Sequence, residues 1–362
     1  MFDIGWTEIL ILATVSLFVI GPKEIPKFLG YIGKMIAKVR GISRDLQDSV
    51  DDAIKNSELE DIRKEISFTD PELSKNFNEI INPSTRKNDL KEEISALSTT
   101  RAPKLVFILV GDNPASISYV KGKQKACNDV GITSHIERFD KNETNDKIAS
   151  YISSLNMDSN VDGILLQLPL PDGFDQETLL NTISPDKDVD GLTALNFGRF
   201  FKNDVNNPFF TPCTPLGCLK LITDHHGDDL SGLTACVIGR SNLIGKPVAH
   251  LLRNANATVI HCHSHTKDIA SFTNLADIVV VATGNAKMVQ SDWIKEGATI
   301  IDVGVNKVGE KDGKAVLVGD ADFRALKNKA GAITPVPKGV GPMTIAMLLH
   351  NCVKAYKTHI DQ

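Results

Sequence analysis

Short apolar runs alternate with stretches of helical periodicity along the chain after residue 100. The runs LVFILV and GILLQL come first, and TACVIG, ATVIHC, DIVVVATG, ATIIDVGV and GAITPV follow. Such alternation predicts parallel strands joined by crossover helices. We therefore expect an α/β protein with two lobes, one over residues 101–220 and a Rossmann-like one over 221–340, and a C-terminal helix over 341–362 that returns to the first lobe.

The N-terminal pattern is different, because it begins with an uncharged run over residues 9–20 that ends at Gly21-Pro22. At about 1.5 Å per residue this run spans roughly 18 Å, so it crosses a hydrocarbon core of roughly 30 Å only if residues 4–6 also enter and the bilayer thins. Apolar residues at three- and four-residue steps follow, with lysines among them. We expect a short transmembrane helix over about 4–21 and a basic amphipathic helix over about 23–44.

Charge indicates the orientation of this predicted anchor. Asp3 and Glu8 lie before or at the start of the apolar run and lysines are crowded after it, which by the positive-inside bias puts the rest of the chain in the cytoplasm. The same acids, and Gly21-Pro22 after the run, do not fit a cleaved secretory signal. The pattern predicts a single-pass protein of the inner (cytoplasmic) membrane, with an anchor over 1–67 and a polar linker and short helix over 68–100.

Composition narrows the classes of function. The 362 residues carry a net charge of −5, so no basic field favours nucleic acid as a main partner. The six cysteines are scattered without a CxxC pair or Cys/His ligand spacing. This indicates reduced thiols, with neither a disulfide framework nor a metal site.

The segment TACVIGRSNLIGKPVA has features of a dinucleotide-binding site. An apolar strand ends at Gly239, a turn passes through Arg240 and Ser241, and Gly245 opens a helix whose N-terminus can hold a phosphate. After the next strand, where NAD enzymes usually place an acid against the ribose, this chain has HSHTK, which includes Ser264. Hydroxyls and bases suit a 2′-phosphate, so NADP is favoured over NAD. The alternative is that GRS is only a tight turn.

The segment SYVKGKQKAC holds three lysines, of which spacing selects one. Tyr119 and Lys123 are four residues apart and share one helical face, whereas Lys121 and Lys125 point elsewhere. A lysine beside a tyrosine hydroxyl in a partly closed cleft can serve as an acid or base. The alternative for Lys123 is an ordinary surface lysine.

Two polar residues lie near predicted strand ends and turns. Gln167 is the polar residue of GILLQLPLP, at the strand end where open α/β sheets bind ligands; the alternative is a satisfied core amide. Asp190 occupies a turn in PDKDVDGL, where it can present its carboxylate to a ligand or merely cap the turn.

The segment PVPKGVGPMT combines prolines and glycines ahead of a helix that we expect from Met343 onward. Helix initiation needs fewer of them, so this composition predicts a fixed backbone loop that a flat ligand can approach closely. The residues concerned are Pro335, Pro337, Gly339, Gly341 and Pro342.

The first seventy residues or so resemble the TatB subunit of the twin-arginine translocase. The resemblance rests on MFDIGWTEI, the hinge IGPKEIP and the later ELEDIRKEI, and Glu8 matches the polar residue near the start of that family's membrane helix. It implies membrane attachment and translocase subunits as partners. The alternative is a generic anchor without a role in translocation.

From Lys104 to Tyr356 the chain resembles the bifunctional FolD family. The motifs occur in the family's order: GDNPAS, SYVKGKQKAC, GILLQLPLP, DKDVDGL, PCTPLG, GRSNLIGKP, ATGNAKMV, IDVGVN and PVPKGVGPMT. The resemblance implies oxidation of 5,10-methylenetetrahydrofolate with NADP and hydrolysis of the methenyl product to 10-formyltetrahydrofolate. It also implies a homodimer formed through the second lobe.

The resemblance carries residue roles onto matching positions. Lys123 becomes the catalytic lysine, with Tyr119 and Gln167 tuning and orienting it, and Asp190 holds the pterin. The implied NADP contacts are Gly239, Arg240, Ser241, Ser264 and Val305. The implied folate contacts are Tyr119, Val120, Lys121, Gly122, Lys123, Leu166, Gln167, Leu168, Asp190, Pro337, Lys338, Gly339, Val340 and Gly341.

Two departures from the family pattern stand out. Lys338 occupies a position where the family usually has glycine, which puts the conformation of that loop in question. The family's opening strand and long first helix are shortened, since NDLKEEISAL is all that precedes the first clear strand. The competing hypotheses are a translocase component with an inactive or artificially fused C-terminal domain, and a NADP-binding regulatory module without catalysis.

Overall fold

A computed structural model describes residues 83–97, 101–311 and 314–360. These residues belong to one compact unit, Glu72–Gln362. The predicted transmembrane helix over 4–21 and amphipathic helix over 23–44 lie outside the described residues. Within the described ranges, no helix is long and apolar enough to cross a membrane.

The first lobe is built on a three-stranded parallel sheet of order β2-β1-β3. Its central strand β1 is the run KLVFILV, and every residue after the first is buried. The elements are α1 Pro83–Ala96, β1 Lys104–Val110, α2 Pro114–Val130, β2 Thr133–Phe139, α3 Asn145–Met157, β3 Gly163–Leu166, α4 Gln176–Thr182 and α5 Ala194–Lys202.

The second lobe has a five-stranded parallel sheet of order β10-β7-β6-β4-β5 and an antiparallel hairpin of β8 and β9. The elements are α6 Cys213–His226, β4 Thr234–Ile238, α7 Gly245–Asn254, β5 Thr258–Cys262, α8 Ile269–Thr273, β6 Ile278–Val281, a 3₁₀ turn at Ser291–Trp293, β7 Thr299–Asp302, β8 Asn306–Lys311, β9 Lys314–Val318, α9 Phe323–Leu326, β10 Ala332–Ile333 and α10 Val340–Ile360.

The predicted two-lobed α/β fold with parallel sheets is confirmed. All six cysteines are free and buried. Sequence analysis missed β2, whose residues TSHIERF are mostly exposed or half-buried at the sheet edge and so form no apolar run. It also missed the hairpin of β8 and β9, whose described side chains are largely exposed.

Local signals define the helix that carries the candidate lysine. At the start of α2, Asn113 accepts hydrogen bonds from the backbone N–H groups of Ala115 and Ser116, and Pro114 occupies the first turn. The helix ends at Gly131, whose φ of +90° is left-handed. These caps set the register of α2, and the register decides which side chains face inward.

Helix α10 links the cores of the two lobes. It begins at Val340, one residue before the predicted bound at 341 and three before Met343, because Gly341 and Pro342 are accommodated in its first turn. Val340 and Met343 pack in a core cluster with residues of the second sheet. Farther along, Leu348 and Cys352 pack in the core of the first lobe.

Candidate active site

Lys123 is a buried lysine on α2. It is 8% exposed, and its Nζ donates a hydrogen bond to the Oε1 of Gln167 at 3.0 Å. It shares the inward face of the helix with Cys127, one turn later, whereas Lys121 and Lys125 are exposed. Burial thus distinguishes Lys123 from its two lysine neighbours.

Gln167 is positioned by the carboxyl end of β3. Its backbone N–H donates to the carbonyl of Ile108 in β1 at 2.9 Å, and its side-chain Nε2 donates to the carbonyl of Leu168 at 2.6 Å. Because the amide nitrogen is used in this way, the amide oxygen is directed to Lys123. The peptide bond between Leu168 and Pro169 is cis.

Asp190 lies at the same edge of the first sheet. Asp188 pairs with Ile164 of β3 in a parallel bridge, so the turn at Asp190 follows beside the end of that strand. Burial raises the pKa of the Cys213 thiol, the Asp190 carboxylate raises it further, and the charge of Lys123 acts in the opposite sense. The lysine and the carboxylate therefore both lie near one buried sulfur.

Two buried side chains that sequence analysis missed support this turn. Asn351 in α10 donates from its Nδ2 to the carbonyl of Val189 at 2.9 Å and to that of Thr211 at 3.1 Å. Asp188 accepts a hydrogen bond from the backbone N–H of Thr193 at 2.8 Å, and burial raises the pKa of Asp188 to about 6. A polar residue within the apolar helix MTIAMLLHNCV was the one available signal for Asn351.

The remaining residues predicted to contact substrate around α2 and β3 differ in exposure. Those that are exposed are Tyr119, at 47%, Lys121 and Gly122. Those that belong to hydrophobic cores are Val120 and Leu166. Leu168 is half-buried. Tyr119 lies one turn before Lys123 and presents its ring at the surface, where a ligand can reach it.

The turn after β4 is tightly closed. Gly239 has a φ of +117°, and a Cβ atom there would overlap the carbonyl of Ala282, just as one at Gly245 would overlap the carbonyl of Gly239. The Ser241 Oγ accepts hydrogen bonds from the backbone N–H groups of Ile244 at 3.2 Å and Gly245 at 3.4 Å. Since this oxygen accepts both bonds, its own proton can be donated to a ligand.

Basic side chains gather at the end of β5. Desolvation lowers the pKa of His263, and the charges of Arg240 and His265 lower it further, so the guanidinium lies near this imidazole. The rings of His263 and His265 have centroids 6.0 Å apart. Arg240 and Ser264 are exposed. Arg240, the imidazoles and the serine hydroxyl provide donors for an anionic group.

The segment between β10 and α10 contains one strained residue. Lys338 has a φ of +85°, a conformation that glycine adopts readily and a lysine does not. A Cβ atom at the buried Gly339 would overlap the carbonyl of Pro335, so the chain passes very close to itself here. Among residues 337–341, the exposed ones are Pro337, Lys338 and Gly341, and the buried ones are Gly339 and Val340.

Two more carboxylates, Asp302 and Asp320, are buried at the carboxyl edge of the second sheet. Asp302 is the last residue of β7 and accepts a hydrogen bond from the backbone N–H of Gly304 at 3.0 Å; burial raises the pKa of Asp302 to about 6. Val305 follows Gly304 and is 50% exposed. Sequence analysis missed both acids, although each comes at or just after the end of an apolar run.

The two lobes thus present complementary chemistry at the carboxyl ends of their sheets. The first has an amine from the middle of α2, an amide at the end of β3 and a carboxylate in the turn that follows, which suits proton transfer on a polar heterocycle. The second has a closed glycine turn and basic side chains, which suits a phosphorylated dinucleotide.

Three family models match the chain. The model for "Tetrahydrofolate dehydrogenase/cyclohydrolase, catalytic domain" matches residues 81–190, and that for the "NAD(P)-binding domain" of the same enzymes matches 212–360. The model for the "mttA/Hcf106 family" matches residues 2–49. Both resemblances drawn from the sequence motifs are confirmed by these matches.

Individual proteins give the same result. The "Bifunctional protein FolD" of Halothermothrix orenii is 49% identical over 274 residues, which are 75% of this chain and 94% of that protein. The solved structure of the FolD enzyme from Campylobacter jejuni is 45% identical, with a TM-score of 0.72 over 76% of this chain and 96% of the other. The Trypanosoma brucei enzyme, solved with NADP and an inhibitor, is 35% identical, with a TM-score of 0.73 over 77% and 96%.

Proposed function

We propose that this chain, which belongs to the tetrahydrofolate dehydrogenase/cyclohydrolase family, carries out both family reactions at the carboxyl edge that holds Lys123. It oxidises 5,10-methylenetetrahydrofolate with NADP and hydrolyses the resulting methenyl compound to 10-formyltetrahydrofolate. The observation that carries the site assignment is the hydrogen bond from the buried Lys123 Nζ to Gln167 at 3.0 Å.

Lys123 acts mainly in the hydrolysis. A water oxygen adds to the methenyl carbon while the amine of Lys123 accepts a proton from that water. The bond between this carbon and N5 then breaks, N5 gains a proton, and the carbon remains on N10 as a formyl group, so that one proton is released overall. The dehydrogenase step needs no such proton transfer, because loss of a hydride yields the methenyl cation directly.

Gln167 and Asp190 have separate tasks in this scheme. Gln167 holds the Lys123 amine by its amide oxygen and so directs the nitrogen lone pair to one place. Asp190 accepts two parallel hydrogen bonds from the amino and ring N–H groups of the pterin. Tyr119 covers the bound ring system from the exposed side of α2, and residues 337–341 close over the folate from the second lobe.

The residues of the second lobe fit NADP. Bound NADP supplies the hydride acceptor of the first reaction. The closed turn at Gly239 lets the backbone approach a pyrophosphate, and the Ser241 hydroxyl is available as a donor. Arg240 and Ser264 would hold the 2′-phosphate beside the imidazole of His263, and Val305 would line the same cofactor site.

The test uses the full chain in mild detergent. Formation of NADPH from methylenetetrahydrofolate is followed in one assay, and decay of added methenyltetrahydrofolate in another. We expect both activities in the wild type and loss of hydrolysis in Lys123→Ala. Absence of turnover together with absence of NADP binding would refute the proposal and favour the translocase hypothesis.

Residues 2–49 support a second proposal, since they match a translocase family model. We infer that residues 4–21 anchor the chain in the cytoplasmic membrane with the enzyme on the cytoplasmic side. The full chain is expected to sediment with membranes after a carbonate wash, and Val15→Lys, which places a charge in the apolar run, is expected to release it without changing hydrolysis. Sedimentation of Val15→Lys in the same amount as the wild type would refute the anchor.

Assembly forms a third proposal. The family resemblance implies a homodimer through the second lobe, whose hairpin of β8 and β9 exposes Val308 and Val316. Light scattering of the detergent-solubilised chain, corrected for bound detergent, is expected to give twice the chain mass. Copurification of twin-arginine translocase subunits would extend the partners to that machinery.

A further inference from the structure

Asp320 is buried among the loops of the second lobe. It is 0% exposed. Its Oδ2 accepts hydrogen bonds from the backbone N–H groups of Thr283 at 2.6 Å and Gly284 at 2.9 Å, and from the Thr283 hydroxyl at 3.0 Å. Its Oδ1 accepts a hydrogen bond from the side-chain Nδ2 of Asn306 at 2.8 Å. One carboxylate thus joins the loop after β6 to the start of β8.

The carboxylate of Asp302 in turn fixes the backbone at Asp320 by hydrogen bonds. The Oδ1 of Asp302 accepts the backbone N–H of Asp320 at 3.0 Å and that of Gly304 at 3.0 Å, and its Oδ2 accepts the N–H of Ala321 at 2.9 Å. The space is filled on both sides, because a Cβ atom at Gly304 would overlap the Asp320 carboxylate and one at Gly319 would overlap that of Asp302. Neither the segment at Gly304 nor the segment at Asp320 can shift without breaking these hydrogen bonds.

Val305, one of the residues assigned to the NADP site, lies between the two groups that this pair holds. Gly304 before it is bonded to Asp302, and Asn306 after it is bonded to Asp320. On the other side, the loop that begins at Ala282 lies against the Gly239 turn, where an added Cβ atom would meet the Ala282 carbonyl. Asp320 therefore connects the loop that borders the cofactor turn to the segment that carries Val305.

We propose that Asp320, supported by Asp302, is a positioning residue for NADP: it sets the place of Val305 relative to the loop at Thr283 and Gly284. Both carboxylates are buried, so neither touches the cofactor. The inference rests on the proposed NADP site and goes beyond it, because it makes cofactor affinity depend on a side chain outside that site.

The first variant is Asp320→Asn, which keeps the shape and removes the charge. Its amide can accept from Thr283 and Gly284, but its Nδ2 then faces the Nδ2 of Asn306, and two donors repel. We expect the KM for NADP to rise about tenfold, the effect of losing one well-made hydrogen bond to a charged group. Hydrolysis of methenyltetrahydrofolate, which consumes no NADP, is expected to stay within about twofold, since the catalytic groups of the first lobe are untouched.

The double variant Asp320→Asn with Asn306→Asp restores a donor opposite an acceptor. We expect it to return the KM for NADP to within about threefold of the wild type, which a merely structural role does not predict. Asp277→Asn is the matched control. Asp277 accepts the backbone N–H of Thr234 at 2.9 Å at the opposite end of the same sheet, so its loss is expected to lower stability and leave the KM for NADP unchanged.

The outcomes separate this inference from the function itself. A wild type without NADP-dependent turnover or NADP binding by calorimetry refutes the proposed function. An active wild type whose Asp320→Asn variant keeps its KM for NADP, or loses hydrolysis in parallel, overturns the positioning role. If Asp320→Asn fails to fold, Asn306→Ala removes only the Oδ1 partner, and an unchanged KM for NADP in that variant overturns the role as well.

Discussion

The Nζ of Lys123 donates a hydrogen bond to the Oε1 of Gln167 across 3.0 Å, which joins the inward face of α2 to the end of β3. Gln167 cannot simply rotate its amide, because its Nε2 donates to the carbonyl of Leu168 at 2.6 Å. The amine is therefore held by an oxygen whose own position is determined by the backbone.

Lys123→Met is expected to slow hydrolysis of methenyltetrahydrofolate by at least about 100-fold, the usual contribution of a general acid or base. NADPH formation is expected to fall less, because hydride loss requires no proton transfer. Lys125→Met, two residues away and exposed, is the control and is expected to keep both rates. Equal losses in both reactions would instead indicate that Lys123 serves substrate binding.

Lys338→Gly is expected to stabilise the protein by about 1 kcal/mol, because a non-glycine residue in the left-handed region carries a cost of that order. The φ of Lys338 is +85°. The measurement is a urea unfolding curve of the full chain in detergent. Lys125→Gly is the control: the same change inside α2 is expected to destabilise by about 1 kcal/mol. A loss of stability in Lys338→Gly would mean that the side chain makes a compensating contact.

Arg240→Gln is expected to lower the preference for NADP over NAD by about tenfold or more, since a charge-assisted hydrogen bond to a phosphate contributes about 1.5 to 3 kcal/mol. The measurement is the ratio of kcat/KM for the two cofactors. Arg324→Gln, exposed in the short helix α9, is the control. An unchanged ratio would assign the preference to the imidazoles near His263 instead.

His359 is expected to stabilise the fold in acid more than in alkali. Its Nδ1 lies 3.1 Å from Asp162 and its Nε2 3.5 Å from Asp186, and these two carboxylates raise the pKa of His359 to about 9. The ordinary pKa of histidine is about 6.5. The contribution is thus complete below that value and is lost as the pH rises through about 9.

His359→Gln tests this by urea unfolding at about pH 6 and about pH 10. We expect the variant to be less stable by about 1 kcal/mol at the lower pH, a modest value because solvent screens part of the interaction, and close to the wild type at the higher pH. His135→Gln, at an exposed position, is the control. A loss of stability that is equal at both pH values would contradict the proposed charge interaction.

The sequence predicts those parts of the fold that depend on continuous apolar runs. Strands β1, β4 and β6 are buried on both faces, so each appears as an uninterrupted hydrophobic segment. Strand β2 lies at an edge and mixes charged with apolar residues, so no comparable signal exists for it. Helix α10 begins three residues before Met343 because Gly341 and Pro342, whose composition is typical of a loop, fit its first turn.

The same distinction applies to the candidate site. Lys123 is the lysine that helical spacing places on the same face as Tyr119, and it is the buried one of the three; its catalytic role stays a prediction. Asp302, Asp320 and Asn351 act between elements far apart in sequence. No local sequence pattern predicts the hydrogen bond between the carboxylate of Asp320 and the backbone of Thr283, since that contact exists only after the second sheet has formed.

The path of α10 has a consequence for the order in which the molecule can be completed. The core of the first lobe includes Leu348, Leu349, Cys352 and Val353, which are translated after the entire second lobe. Every catalytic side chain therefore leaves the ribosome long before the hydrophobic core beneath it can close. A chain interrupted anywhere from residue 191 to residue 347 keeps all of those side chains but lacks this part of the first lobe's core, so we expect function only in a chain that has its last helix.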